Sequence, residues 1–232
     1  MAAVVPAIHR LWQALHRVPI AHRYLTDRHF QVRSSLILSF LINLCYAVFK
    51  LACALWYRSF WDGGLALYNV LLCGVRAYLI RQVPEGDEGR DPVRELRCYR
   101  ATGFFLAVLD LALSVIATQI VRDGYGYNYP GTLIYVVALH AFYSLILSAV
   151  NAVKFRKLHS PVLSAAKAVN LTTAVVSIFS LETAMLSQFG SDQAEFRLLM
   201  TACTAVSVCA IVLGLAAYMV VSANKKLRRI SR

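Results

Sequence analysis

Residues 160–186 read SPVLSAAKAVNLTTAVVSIFSLETAML, a largely apolar run that nevertheless carries Lys167, Asn170 and Glu182. A hydrocarbon core of about 30 Å is crossed by about 20 helical residues, so the run is long enough to span a bilayer. An ionisable side chain at the centre of such a helix costs about 2.5 to 3.5 kcal/mol even on a lenient insertion scale. The run therefore sets the class of the protein, and it poses the question of what a lysine and a carboxylate do inside a span.

The rest of the chain fits the same class. Of its 232 residues 59% are hydrophobic and 16% charged, and the mean hydropathy is +0.57, outside the usual range of soluble domains. Six segments have spanning length: Ser35 to Trp56, Trp61 to Ile80, Ala101 to Val121, Gly131 to Val153, Pro161 to Gln188 and Leu198 to Ala223. The predicted fold is an all-α integral membrane protein of six transmembrane helices over residues 35–223. A basic amphipathic segment, 1–34, precedes them and a basic tail, 224–232, follows. Arg10, Arg17, Arg23, Arg28 and Arg33 interrupt every early apolar run, so no cleaved signal peptide is read and the first span is expected to act as the insertion signal.

Lysine and arginine give the expected orientation. Of the 24 in the chain, 18 fall in the N-terminal segment, the loop 81–100, residues 154–157 and the tail. Arg58, Arg122 and Arg197 lie on the other side, and Lys50, Arg76 and Lys167 fall inside spans. Positive residues stay on the cytoplasmic side, which predicts both termini inside. Tyr57, Phe60, Trp61, Tyr125, Tyr127 and Tyr129 all fall outside, as an interfacial aromatic belt would. The glycosylation pattern Asn170-Leu171-Thr172 then lies within a span and is discounted.

A net charge of +12 would suggest nucleic acid in a soluble protein. Here the basic residues flank spans, so the expected partner is the bilayer with its anionic headgroups and not nucleic acid. Six scattered cysteines form neither a disulfide framework nor a zinc pattern, and no cofactor is implied. His9, His16, His22 and His29 each adjoin an arginine. Metal binding is one reading of them; the other is an amphipathic surface segment with Leu11, Trp12, Leu15 and Val18 toward the membrane.

Six ionisable residues lie within the spans: Lys50, Arg76, Asp110, His140, Lys167 and Glu182. Arg76, four residues from the inner end of its span, is expected to extend to the interface. Lys50 and Glu182 both fall in the outer half and are expected to form a structural ion pair. Asp110 and His140 lie near the midplane, with Lys167 about one turn inward. Such a cluster either fixes helix packing or forms a transport site.

Asn69 follows Ser59 by ten residues and Asn170 follows Ser160 by ten. Each is then about 15 Å deep, entering from opposite sides. This suggests that spans 1–3 and 4–6 are a 3+3 inverted repeat, an arrangement that puts transport sites at the midplane. Asn69, Asp110, His140, Lys167 and Asn170 are the candidate binding residues. The small residues of SAAKA and Gly63-Gly64 would let helices approach there.

INLCYAVFKLACALWYRS (42–59) resembles the first span of the cation diffusion facilitator family, and RKLHSPVLSAAKAVN (156–170) resembles the start of its fifth. The resemblance extends over about residues 36 to 228 and implies six spans, internal termini, a homodimer, a bacterial cytoplasmic membrane and proton-coupled efflux of divalent ions. Counted from the matched serines, the family's ligand positions are Tyr68, Leu72, Val169 and Thr173, none of them an expected zinc ligand. The family's cytoplasmic metal-binding domain has no counterpart after the sixth span. The resemblance implies the fold without the metal chemistry.

Two functional readings follow. One is a secondary transporter of another ion or solute, proton-coupled through Asp110 and His140, since histidine titrates near neutrality. The other is a non-transporting membrane scaffold or partner protein. A membrane enzyme is not expected, because no nucleophile and base come together. Lys167 is read as a tethered charge that fills a degenerate cation site and faces Asp110. Lys167→Ala should then unpair Asp110 and lower the unfolding temperature in detergent; an unchanged temperature would exclude that pairing.

Overall fold

The computed structural model describes residues 28–57, 60–82, 91–123, 133–154, 160–189 and 194–230. These form six helices, α1 Arg28–Tyr57, α2 Phe60–Gln82, α3 Pro92–Asp123, α4 Leu133–Lys154, α5 Pro161–Phe189 and α6 Ala194–Ile230. All six are long and apolar enough to cross a membrane. The outward surface is itself apolar: Leu55, Tyr135, Leu139, Val153 and Val206 are each at least 70% exposed. A protein bathed in water rarely leaves so continuous an apolar surface uncovered.

Two helices are longer than expected. α3 begins inside the segment read as a loop, because Asp91 caps it: its carboxylate accepts from the backbone N–H of Val93 at 3.0 Å and of Arg94 at 3.5 Å. Pro92 follows at the first helical position, where its missing N–H costs nothing. α6 runs on through the basic tail to Ile230, and its terminal Arg228 and Arg229 suit the negative end of the helix dipole. The N-terminal histidines up to His22 and Tyr125, Tyr127 and Tyr129 lie outside the described residues.

The bundle has an apolar and a polar compartment. α3 packs most extensively against α6, α1 against α2, and α4 against α5, while α5 also touches α2, α3 and α6. In α5, 72% of the most apolar stretch is buried against protein, compared with 22% in α6, which makes α5 the central helix. The main apolar core joins α2, α3, α5 and α6 through residues such as Leu72, Leu106, Val169 and Met219.

The polar compartment lies among α1, α2, α4 and α5. Ser39, Asn43, Tyr46 and Lys50 form one buried stripe along α1 at helical spacing; His140, Ser144, Ser148 and Asn151 form another along α4; Asn170, Thr173, Ser177 and Ser180 form a third along α5. Residues three and four apart share a helix face, so each helix turns its polar side inward and its apolar side outward.

α3 and α6 meet at Gly103. A Cβ there would lie 2.9 Å from the Met219 Cβ and 3.1 Å from the Ala216 carbonyl oxygen. Gly214 on α6 faces open space. Gly103→Val should therefore destabilise the protein by about 1 to 3 kcal/mol through overpacking. Gly214→Ala should be neutral or stabilise it by up to about 1 kcal/mol. Unfolding of the detergent-solubilised variants checks both, and equal effects would contradict the close crossing.

Candidate functional site

Arg76 organises the polar compartment. It is 3% exposed and its guanidinium reaches three partners on two other helices. Nη1 donates to Ser39 Oγ on α1 and to Asn170 Oδ1 on α5 at 2.6 Å, and Nη2 donates to Thr173 Oγ1 at 2.7 Å. The Thr173 hydroxyl spends its own proton on the Val169 carbonyl at 2.9 Å, so it faces Arg76 as an acceptor. Nε is buried without a partner.

These oxygens are neutral. Among the described residues, no carboxylate stands within 4.0 Å of Arg76, and the ion pair that forms lies elsewhere, between Lys50 and Asp62. Hydrogen bonds to a charged group contribute about 1.5 to 3 kcal/mol each, and three of them match the several kcal/mol that burying an ion costs. The guanidinium can stay where it is, but its charge is not neutralised.

Beside it, His140 bridges α1 and α5. Asn43 Nδ2 donates to the Ser39 carbonyl at 2.7 Å, which leaves Asn43 Oδ1 as the acceptor facing His140 Nε2 at 3.3 Å. Ser177 Oγ lies 3.3 Å from Nδ1. A neutral ring protonated on Nε2 satisfies both contacts, an assignment made from the network. The ring stacks on Tyr46 with centroids 3.5 Å apart and planes 2° from parallel.

Arg76 was expected to extend to the interface, and the structure corrects this. α2 ends at Gln82 and α5 begins at Pro161 at the same basic end of the bundle. Arg76 and Lys167 are each six residues, about 9 Å, from that end. Helical side chains lean toward the N-terminus of their own helix. On α2 this carries Arg76 into the bundle, and on α5 it carries Lys167 back toward the end.

Lys167 accordingly lines a groove with Lys226 and does not pair with Asp110. Asp110, 3% exposed on α3, lies beside Tyr68 and Cys209. Its Oδ1 and the Tyr68 hydroxyl are both buried without a hydrogen-bond partner. The contacts of His140 are to Asn43, Ser177 and Tyr46, and those of Asp110 are to Tyr68 and Cys209.

The expected Lys50 partner is also corrected. Lys50 and Asp62 are 1% and 0% exposed and 2.8 Å apart. Glu182 is only half-buried and lies beside Thr204 of α6. Asp62 was not counted among the ionisable residues of the spans, although it falls at the outer end of the second one; it sits in the first turn of α2, where Lys50 reaches it.

Asn170 joins Arg76 as described, whereas Asn69 Nδ2 donates to the Leu65 carbonyl of its own helix at 2.8 Å. The two asparagines of the suggested repeat are thus used differently. Of the ligand positions implied by the resemblance, Tyr68, Leu72 and Val169 belong to the apolar core and Thr173 accepts from Arg76. Among the described residues, no group of three or more His, Cys, Asp or Glu side chains could hold a metal ion. No protein-family model, curated protein or solved structure matches the chain.

Removing one partner of a buried ion pair costs about 3 to 5 kcal/mol, and replacing both by apolar residues is often neutral. Asp62→Ala should show the full loss, Asp62→Leu with Lys50→Met should recover most of it, and Glu182→Gln should cost less than about 1 kcal/mol. Unfolding measurements on the four proteins decide; a Glu182→Gln loss equal to that of Asp62→Ala would restore Glu182 as the partner.

Proposed function

We propose that the protein is an integral membrane carrier whose internal site has exchanged the cation chemistry of a cation-efflux-like fold for the binding of a small anion. The observation that carries this reading is Arg76, buried in the polar compartment with no carboxylate within 4.0 Å among the described residues. An anion that came within 4 Å of the guanidinium would gain about 4 kcal/mol at an effective dielectric of 20. A divalent cation would be repelled by as much or more.

The bilayer setting rests on the six apolar helices and the apolar outer surface, and the positive-inside bias supports cytoplasmic termini. The contacts support a 3+3 repeat in part. Matching α1, α2 and α3 with α4, α5 and α6 makes the α1–α2 contact equivalent to α4–α5 and the α2–α3 contact equivalent to α5–α6, with α2–α5 and α3–α6 on the axis. The α3–α5 contact has no equally extensive counterpart. Coupling to protons rests on Asp110, whose Oδ1 and neighbouring Tyr68 hydroxyl are buried and unpartnered.

One observation favours the scaffold reading instead. The bonds of Arg76 tie α1, α2 and α5 together and the Lys50 to Asp62 bridge ties α1 to α2, as a bundle held in one state would require. Thermal unfolding of the purified protein across chloride, nitrate, acetate, phosphate, sulfate and divalent cations separates the two. The carrier reading expects a saturable anion-dependent rise, worth about 2.7 kcal/mol at a hundred times Kd, that Arg76→Lys largely keeps and Arg76→Gln loses. Stabilisation by a divalent cation alone would overturn the anion assignment, and no response to any ion would leave the scaffold reading.

A further inference from the structure

At the basic end of the bundle a cavity of about 450 Å³ opens among α3, α4, α5 and α6. Ser164 and Lys167 of α5 and Ser222 and Lys226 of α6 supply its polar part, together with Ser148 of α4 and the body of Tyr218. Ser164, Lys167 and Leu171 share one face of α5, and Tyr218, Ser222 and Lys226 share the facing side of α6. Among the described residues, two lysines line the cavity and no acidic residue does. Glu95, adjacent in sequence to the lining residue Leu96, accepts from the Ser160 hydroxyl at its Oε2 at 2.8 Å.

The groove changes character along its length. Ser164, Lys167, Ser222 and Lys226 lie toward the start of α5 and the end of α6. Leu171 and Leu215 lie about one to two turns deeper, beside Ala168 and Met219. Leu171 is 38% exposed, so the apolar part is open on one side.

We propose that this groove binds a phosphate group, and that the ligand it fits is an anionic phospholipid with its phosphate between Lys167 and Lys226 and an acyl chain along Leu171 and Leu215. A surface lysine attracts any anionic headgroup, but Lys167 is half-buried about 9 Å inside the helix. Its ammonium can meet a phosphate only where the groove admits one. The Ser164 hydroxyl already donates to the Ser160 carbonyl at 3.2 Å, so Ser222 is left to donate to a remaining phosphate oxygen, and the apolar floor distinguishes a lipid from free phosphate. This inference rests on the bilayer reading above but not on Arg76.

Purified protein in neutral detergent would be titrated with short-chain phosphatidylglycerol, short-chain phosphatidylcholine and inorganic phosphate, following thermal unfolding. Each basic residue near a headgroup contributes about 1 kcal/mol. Phosphatidylglycerol affinity should therefore fall roughly fivefold in Lys226→Ala and roughly 30-fold in Lys167→Gln with Lys226→Ala. Arg76→Gln should leave it unchanged, which separates this site from the anion site proposed above. Lys226 is exposed, so Lys226→Ala keeps the test usable if the double variant fails to fold. Saturation by inorganic phosphate with no gain from the acyl chains would support phosphate binding but assign a free-phosphate source. Equal response to phosphatidylcholine, or full phosphatidylglycerol affinity in a folded Lys226→Ala protein, would overturn the proposal.

Discussion

A guanidinium enclosed in a helical bundle must be met by a carboxylate or by enough oxygens to replace the water it has lost. Arg76 takes the second course, and much of the polar compartment follows from it. Ser39, Asn170 and Thr173 are where they are because each supplies an oxygen. Asn43, His140 and Ser177 extend the same layer between α1, α4 and α5. Among the described residues no carboxylate pairs with Arg76, and that separates this interior from one in which every ion has been paired, as Lys50 and Asp62 have.

The division of labour between helices follows from the same constraint. α1, α4 and α5 carry inward polar stripes at helical spacing, while α3 and α6 close on each other at Gly103 with apolar residues and supply little to the polar layer. α5 serves both compartments: Asn170 and Thr173 meet Arg76, and Val169 and Val176 join the apolar core. This is why the run 160–186 carries so many polar residues and is still the most deeply buried of the helices.

The six helices were legible in the sequence because length and hydropathy alone decide them. Their ends were less so: the Asp91-Pro92 cap was passed over inside a segment that looked like a loop, and the tail was cut at the loss of hydropathy although lysine and arginine are good helix formers. Asn170 and His140 could be named because a polar group in an apolar run is conspicuous. Arg76 and Lys167 were assigned each other's roles, since depth was counted without helix direction. Both lie six residues from the same end, and the lean of helical side chains sends one inward and the other outward. The missed signal was the polar stripe itself, with Ser39, Asn43, Tyr46 and Lys50 at spacings of four, three and four.

The central claim is that Arg76 is held among neutral oxygens of α1 and α5 with its charge unmet, and Asn170→Asp tests it most directly by placing a carboxylate at the oxygen that Arg76 already contacts at 2.6 Å. If the claim holds, the ligand-free variant unfolds at a higher temperature than the parent and no longer responds to added anions, because the new carboxylate has taken their place. If Arg76 pointed away from Asn170, the variant would bury a second unpaired charge. Its unfolding temperature would then fall, and its response to anions would be unchanged.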